Sequence, residues 1–110
     1  MKRLLGLTAL TGLVTMAMAF AAIEKVFDTN YKIEKNSNLG KAACGVCHMN
    51  VKGGKLNPYG KDLEALLKAE KTTKMTPAIL AKAEQLDSDK DGVKNIDEIK
   101  KDTNPGVATN

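Results

Sequence analysis

Tryptophan is absent from the sequence, histidine occurs once, cysteine twice, and aromatic residues fill 4% of the 110 positions. Each scarcity closes something off. Two cysteines and one histidine fall short of the four ligands that a structural zinc site needs. Two cysteines also allow at most one internal disulfide, so a multi-bridge framework is excluded. The sole histidine, His48, has no second histidine to work with and no Ser/His/Asp set around it, so an enzyme acting alone is not expected. Neither an internal repeat nor an alternating strand pattern is visible, and the length bounds the chain to one domain at most.

The one long apolar run lies at the start. Lys2 and Arg3 precede an uncharged stretch from Leu4 to Phe20, and small-x-small triplets at Ala17–Ala19 and Ala19–Ala21 are followed by the polar Glu24-Lys25. This is the layout of a secretory signal peptide, expected to span residues 1–21 with a mature start at Ala22. An uncleaved anchor is the alternative, but the run is short for a membrane span and carries Thr and Gly. No cysteine follows the run, so lipid attachment there is excluded. Cleavage lowers the 17 basic residues to 15 against 13 acidic ones, and the net charge from +4 to +2. So weak a balance, with lysines scattered along the chain, gives no nucleic-acid signal. No stable membrane insertion is expected after cleavage, and the compartment is periplasmic or otherwise exported.

The remaining chain reads as helical. Ile23, Val26, Phe27 and Tyr31 form one stripe, Leu63, Leu66 and Leu67 another, and Ile79, Ala83 and Leu86 a third. Thr76-Pro77 supplies an N-cap and a first-turn proline. Helices are expected over 61–70, from 77 to about Leu86, and around Ile96 and Ile99. Gly53-Gly54 and Asn57-Pro58 mark a flexible loop, and the tail after Asn104-Pro105-Gly106 is expected to fray. The expected fold class is all-α, with one region over 22–75 and a helix–loop–helix over 76–110. With only Phe27, Tyr31 and Tyr59 as mature aromatics, so small a core calls for a staple such as a metal, a disulfide or a cofactor.

Cys44-Gly45-Val46-Cys47-His48 has the C-x-x-C-H spacing of covalent haem attachment. On a helical turn, positions i and i+3 project from one side, so two thiols can reach both vinyl groups at one haem edge. His48 then follows under the iron as proximal ligand, which makes 22–75 the expected haem-binding region and a buried haem the staple the small core lacks. The competing readings are a thioredoxin-like redox pair, half a zinc site and a plain disulfide. The first lacks a strand–helix–strand context and the second lacks ligands.

From Cys44 to His48 the chain resembles a monohaem cytochrome c. The following Gly53-Gly54 and Leu56-Asn57-Pro58-Tyr59-Gly60 are similar to small exported cytochromes that pair such a motif with a C-terminal acidic repeat. The resemblance implies one covalent haem c, export before attachment, and one-electron transfer to redox partner proteins. A second histidine ligand is impossible within this chain. Met49 adjoins His48 and cannot reach the opposite haem face, whereas Met75, 27 residues downstream, is a candidate distal ligand in the manner of class I cytochromes c. Core filling, a lysine, Tyr59 or an open iron are the alternatives for that position.

Asp87, Asp89, Asp91, Gly92 and Glu98 fit D-x-[DN]-x-[DN]-G-x5-E, the EF-hand calcium loop. Alternating carboxylates converge on a hard cation, the Val93 carbonyl and Asn95 add oxygens, and Glu98 closes the site. The longer stretch from Asp87 to Pro105 also resembles thrombospondin type 3 and dockerin calcium repeats, matching at Asn95, Glu98, Thr103 and Pro105. It departs at Lys90 and Asp102, where glycine is frequent, and at Lys94. A solvated acidic turn is the bland alternative. The expected function is electron transfer, with calcium as a structural ion. A haem-based ligand binder with an open iron and a small subunit of a larger respiratory complex are the competing readings. Lys41, Lys52 and Lys55 flank the motif and offer steering toward an acidic partner.

Overall fold

A computed structural model describes residues 22–108. The expected signal peptide at 1–21 lies outside the described residues. Residues 22–31 form α1, whose Phe27 is buried while Ile23, Val26 and Tyr31 pack partly against it. Lys32 at φ 53° ends the helix, and Ile33 N donates back to Asp28 O at 2.9 Å. Ser37 then caps α2 (Asn38–Ala42), its hydroxyl accepting from Gly40 N.

The chain tightens at the cysteine motif. Ala43–Val46 is a 3-10 turn, Cys47 ends it, and His48 opens a strand, β1 (His48–Asn50). β1 pairs antiparallel with β2 (Gly53–Leu56), with His48 opposite Leu56 and Asn50 opposite Gly53. This hairpin corrects the all-α expectation: the fold is mixed, a set of short helices around one small sheet. Gly53 and Gly54 take φ of 116° and 89°, which lets the chain reverse and pair where a flexible loop was expected. Strands of three and four residues are too short to display an alternating pattern.

α3 (Pro58–Ala69) starts three residues earlier than the stripe suggests, because Asn57 caps it and Pro58 opens it. Lys71 at φ 53° closes its far end, with Thr72 N donating to Leu67 O. α4 (Pro77–Ala83) has the expected Thr76 cap but stops short of Leu86, which is left exposed. α5 (Asn95–Lys100) is brief and buries Asn95, Glu98 and Ile99. Phe27, Leu63, Met75, Ile79, Leu80 and Ile99 belong to one apolar cluster, so the core crosses the sequence boundary between 75 and 76. Among the described residues no helix is long and apolar enough to cross a membrane.

Candidate functional site

The 3-10 turn, β1, α1, α3 and the segment before α4 enclose a cavity of about 280 Å³. Cys44, Cys47, His48 and Met75 all line it, among Ile23, Phe27, Val46, Leu63 and Leu80. The four residues singled out from the sequence for one haem thus meet in one largely apolar space. Met75 is 4% exposed, whereas Met49 is 70% exposed and outside. Glu24 and Asp28 of α1 also reach the wall, and burial raises the Asp28 carboxyl above its usual range.

Both cysteines are free thiols. Burial pushes the Cys47 thiol up to about 12, with the neighbouring Cys44 and Glu24 adding to the shift. Cys47 is therefore held as a neutral thiol, and thiolate chemistry at that sulfur is suppressed. His48 Nδ1 lies 2.7 Å from Gly54 O. A backbone carbonyl only accepts, so the ring nitrogen facing it donates and Nε2 is left as the bare ligating atom. The hairpin absent from the sequence reading is what supplies this carbonyl.

Two asparagines hold the motif's backbone. Asn57 is 1% exposed; its Oδ1 accepts from Gly60 N while its Nδ2 donates to Val46 O at 2.9 Å and Gly45 O at 3.2 Å. Asn104 Nδ2 donates to the same Gly45 O at 2.8 Å, so the segment that terminates the last helix is anchored between the two cysteines. Gly60 passes so close to the Cys47 carbonyl that a Cβ there would stand 2.0 Å from the oxygen. The Leu-Asn-Pro-Tyr-Gly stretch thereby acquires a physical meaning: cap, helix start, buried ring and close backbone approach. Tyr59 is fully buried with no partner for its hydroxyl, and its ring meets Phe27 edge-on at 6.2 Å. Burial pushes its phenol well above the usual range, with Tyr31 and Cys47 contributing.

The carboxylates of Asp87, Asp89, Asp91 and Glu98 each bring an oxygen within 4.8 Å of the others. The loop is wound around its own side chains: Asp87 accepts from Gly92 N at 2.8 Å and Asp91 N at 3.2 Å, and Asp91 accepts from Val93 N at 3.0 Å. Glu98 is 3% exposed, and neither of its oxygens has a hydrogen-bond partner; Asp89 Oδ2 is likewise buried and unpartnered. Burial, followed by the neighbouring aspartates, pushes Glu98 up to about 8. Two buried, unpartnered oxygens on a carboxyl set among three aspartates are what a cation would satisfy, so the residues fit calcium. Asn95 has a different employment. Its Oδ1 accepts from Ser88 N and its Nδ2 donates to Ala83 O and Ser88 Oγ, locking the loop to the end of α4. Lys90 and Asp102 both sit at positive φ, which accounts for the frequency of glycine at those positions of such repeats.

No protein-family model, curated protein or solved structure matches the chain.

Proposed function

We propose that the protein is a small exported c-type cytochrome that carries electrons singly, with its C-terminal loop stiffened by calcium. The observation that carries this reading is the convergence of Cys44, Cys47, His48 and Met75 on one apolar cavity, with the His48 ring oriented by Gly54 O. When bound, a haem supplies reversible one-electron chemistry at its iron. The chain's residues do the rest. Cys44 and Cys47 would tether the group, so its retention would not depend on affinity. His48 would present Nε2 to the iron. Met75 would offer its thioether from the segment before α4, which would favour a high potential over an open iron. The apolar walls would limit the access of water to the group. Calcium would offset two carboxylate charges of the cluster and supply the partner that Glu98 lacks.

The test is the visible spectrum of the exported protein, oxidised, reduced, and reduced under carbon monoxide, beside Met75→Ala. Sharp reduced bands indifferent to carbon monoxide, and altered in the variant, are the expected result. A carbon monoxide shift in the unmutated protein would replace the carrier with the ligand binder. No haem bands, after expression with haem-attachment machinery, would leave a thiol protein with a calcium loop.

A further inference from the structure

Between the carboxylate loop and the cysteine turn runs a short strap, residues 102–106. It is anchored to a residue of the loop. The Glu98 side chain belongs to the carboxylate cluster, and its backbone carbonyl accepts from Thr103 N at 2.9 Å and Thr103 Oγ1 at 3.0 Å. On one side of Thr103, the Asp102 carboxylate accepts from Asn38 N at 2.7 Å and Leu39 N at 2.9 Å, the start of the helix that leads into the cysteine turn. On the other side, Asn104 Nδ2 reaches Gly45 O at 2.8 Å, and Asn104 Oδ1 is fixed by Gly106 N at 2.9 Å. One residue thus touches the cation loop through its chain neighbour and the haem motif through its own amide.

We propose that Asn104 is a positioning residue for the cysteine motif, through which occupancy of the carboxylate loop is felt at the haem iron. The proposal rests on both parts of the function proposed above. Its two-state element is α5, a helix of six residues. With a cation bound, Glu98 stays seated and the strap holds Gly45. Without one, Glu98 lies buried among three aspartates with neither of its oxygens partnered, and nothing in the cluster holds its side chain in place. Outward movement of Glu98 carries the carbonyl that anchors Thr103, and Asn104 leaves Gly45 with it. The turn bearing both thioether sulfurs and leading into His48 then relaxes, and the iron's ligand field changes. Linkage makes the effect mutual: whatever calcium does to the iron's redox equilibrium, the iron's redox state does to calcium affinity.

The experiment uses the full exported, haem-loaded protein, with haem confirmed by its bands and calcium binding by calorimetry. The iron's midpoint potential is then measured in calcium and in chelator, for the native chain and for Asn104→Asp. That variant keeps the acceptor for Gly106 N and loses the donor to Gly45 O. The expected result is a change of at least about fivefold in the native redox equilibrium constant, some 40 mV for one electron, that collapses in Asn104→Asp. Equal potentials in calcium and chelator, with calcium demonstrably bound, would overturn the proposal; so would an undiminished shift in the variant. A measurement that needs no variant stands beside it: calcium dissociation constants of the oxidised and reduced native protein must differ by the same factor, and equal constants overturn the coupling. Missing haem bands or a missing calcium heat would overturn it too, but at a stage that identifies the earlier reading as the one that failed.

Discussion

The cysteine turn and the carboxylate loop are both built to receive something, and they are supported in opposite ways. The loop closes on itself: its aspartates accept from backbone amides two to five residues away, and every cluster residue lies within one stretch of twelve. The turn has almost nothing local to hold it. Its carbonyls are met by Asn57 and Asn104, 12 and 59 residues from Gly45, and its histidine by a carbonyl across the hairpin. A locally closed site survives loss of distant contacts but suffers from its own charge. A site held from a distance carries little charge but depends on the whole fold being in place.

The sharpest way to break the turn is Gly60→Ala. A Cβ at 2.0 Å from the Cys47 oxygen must push α3 away from the turn, and the Asn57 N to Cys47 O bond at 2.9 Å goes with it. We expect a loss of about 3 kcal/mol or more in chemical denaturation, with haem attachment reduced in parallel. The loop should respond instead to its cation. Calcium at about 100 times its dissociation constant should stabilise the native protein by about 2.7 kcal/mol, and Glu98→Gln should remove most of that gain in thermal melts. In calcium-free buffer Glu98→Gln should change stability little, because folded Glu98 already holds its proton there; a large loss would run against the comparison.

Asn57→Ala leaves Val46 O without its 2.9 Å donor and α3 without its cap, at a cost of about 2 kcal/mol by denaturant titration. The pH response separates the two sites further. In chelator, folded Glu98 holds its proton up to about pH 8, whereas an unfolded glutamate loses it near about pH 4.3. The folded state therefore binds the extra proton between these values. Stability from this group is complete below the lower value and declines as pH rises toward 8. The melting temperature should fall over that window in chelator and much less in calcium. The smallest effect belongs to the exposed Glu64–Lys68 pair on α3, where Lys68→Ala should cost under about 0.5 kcal/mol.

How legible each site was follows from the same contrast. The carboxylate loop could be read residue by residue, because a motif that closes locally writes all its positions into one run of sequence. Asn95 shows where that ends: the repeat pattern marks it, but only packing against Ser88 and Ala83 reveals that its amide serves the protein backbone. The cysteine motif is equally visible, yet by sequence Gly54 and Asn57 are flexible loop and Asn104 is a helix terminator. Nothing local tells an asparagine that ends a helix from one whose amide reaches a carbonyl 59 residues away.

The amino-acid order by itself determined the helical stripes of α1, α3 and α4, the cap at Thr76, and which side chains carry chemistry, since periodicity, capping and motif spacing are short-range physics. Tertiary structure decided the rest. It turned Gly53-Gly54 into half of a hairpin, because pairing with His48–Asn50 satisfies backbone groups that a loop would leave to water. It cut α4 at Ala83, whose carbonyl accepts from Leu86 N in a closing turn and from Asn95 Nδ2 across the loop. It brought Met75 into the same cavity as His48, a meeting of residues 27 apart that only the packing of α1, α3 and α4 enforces.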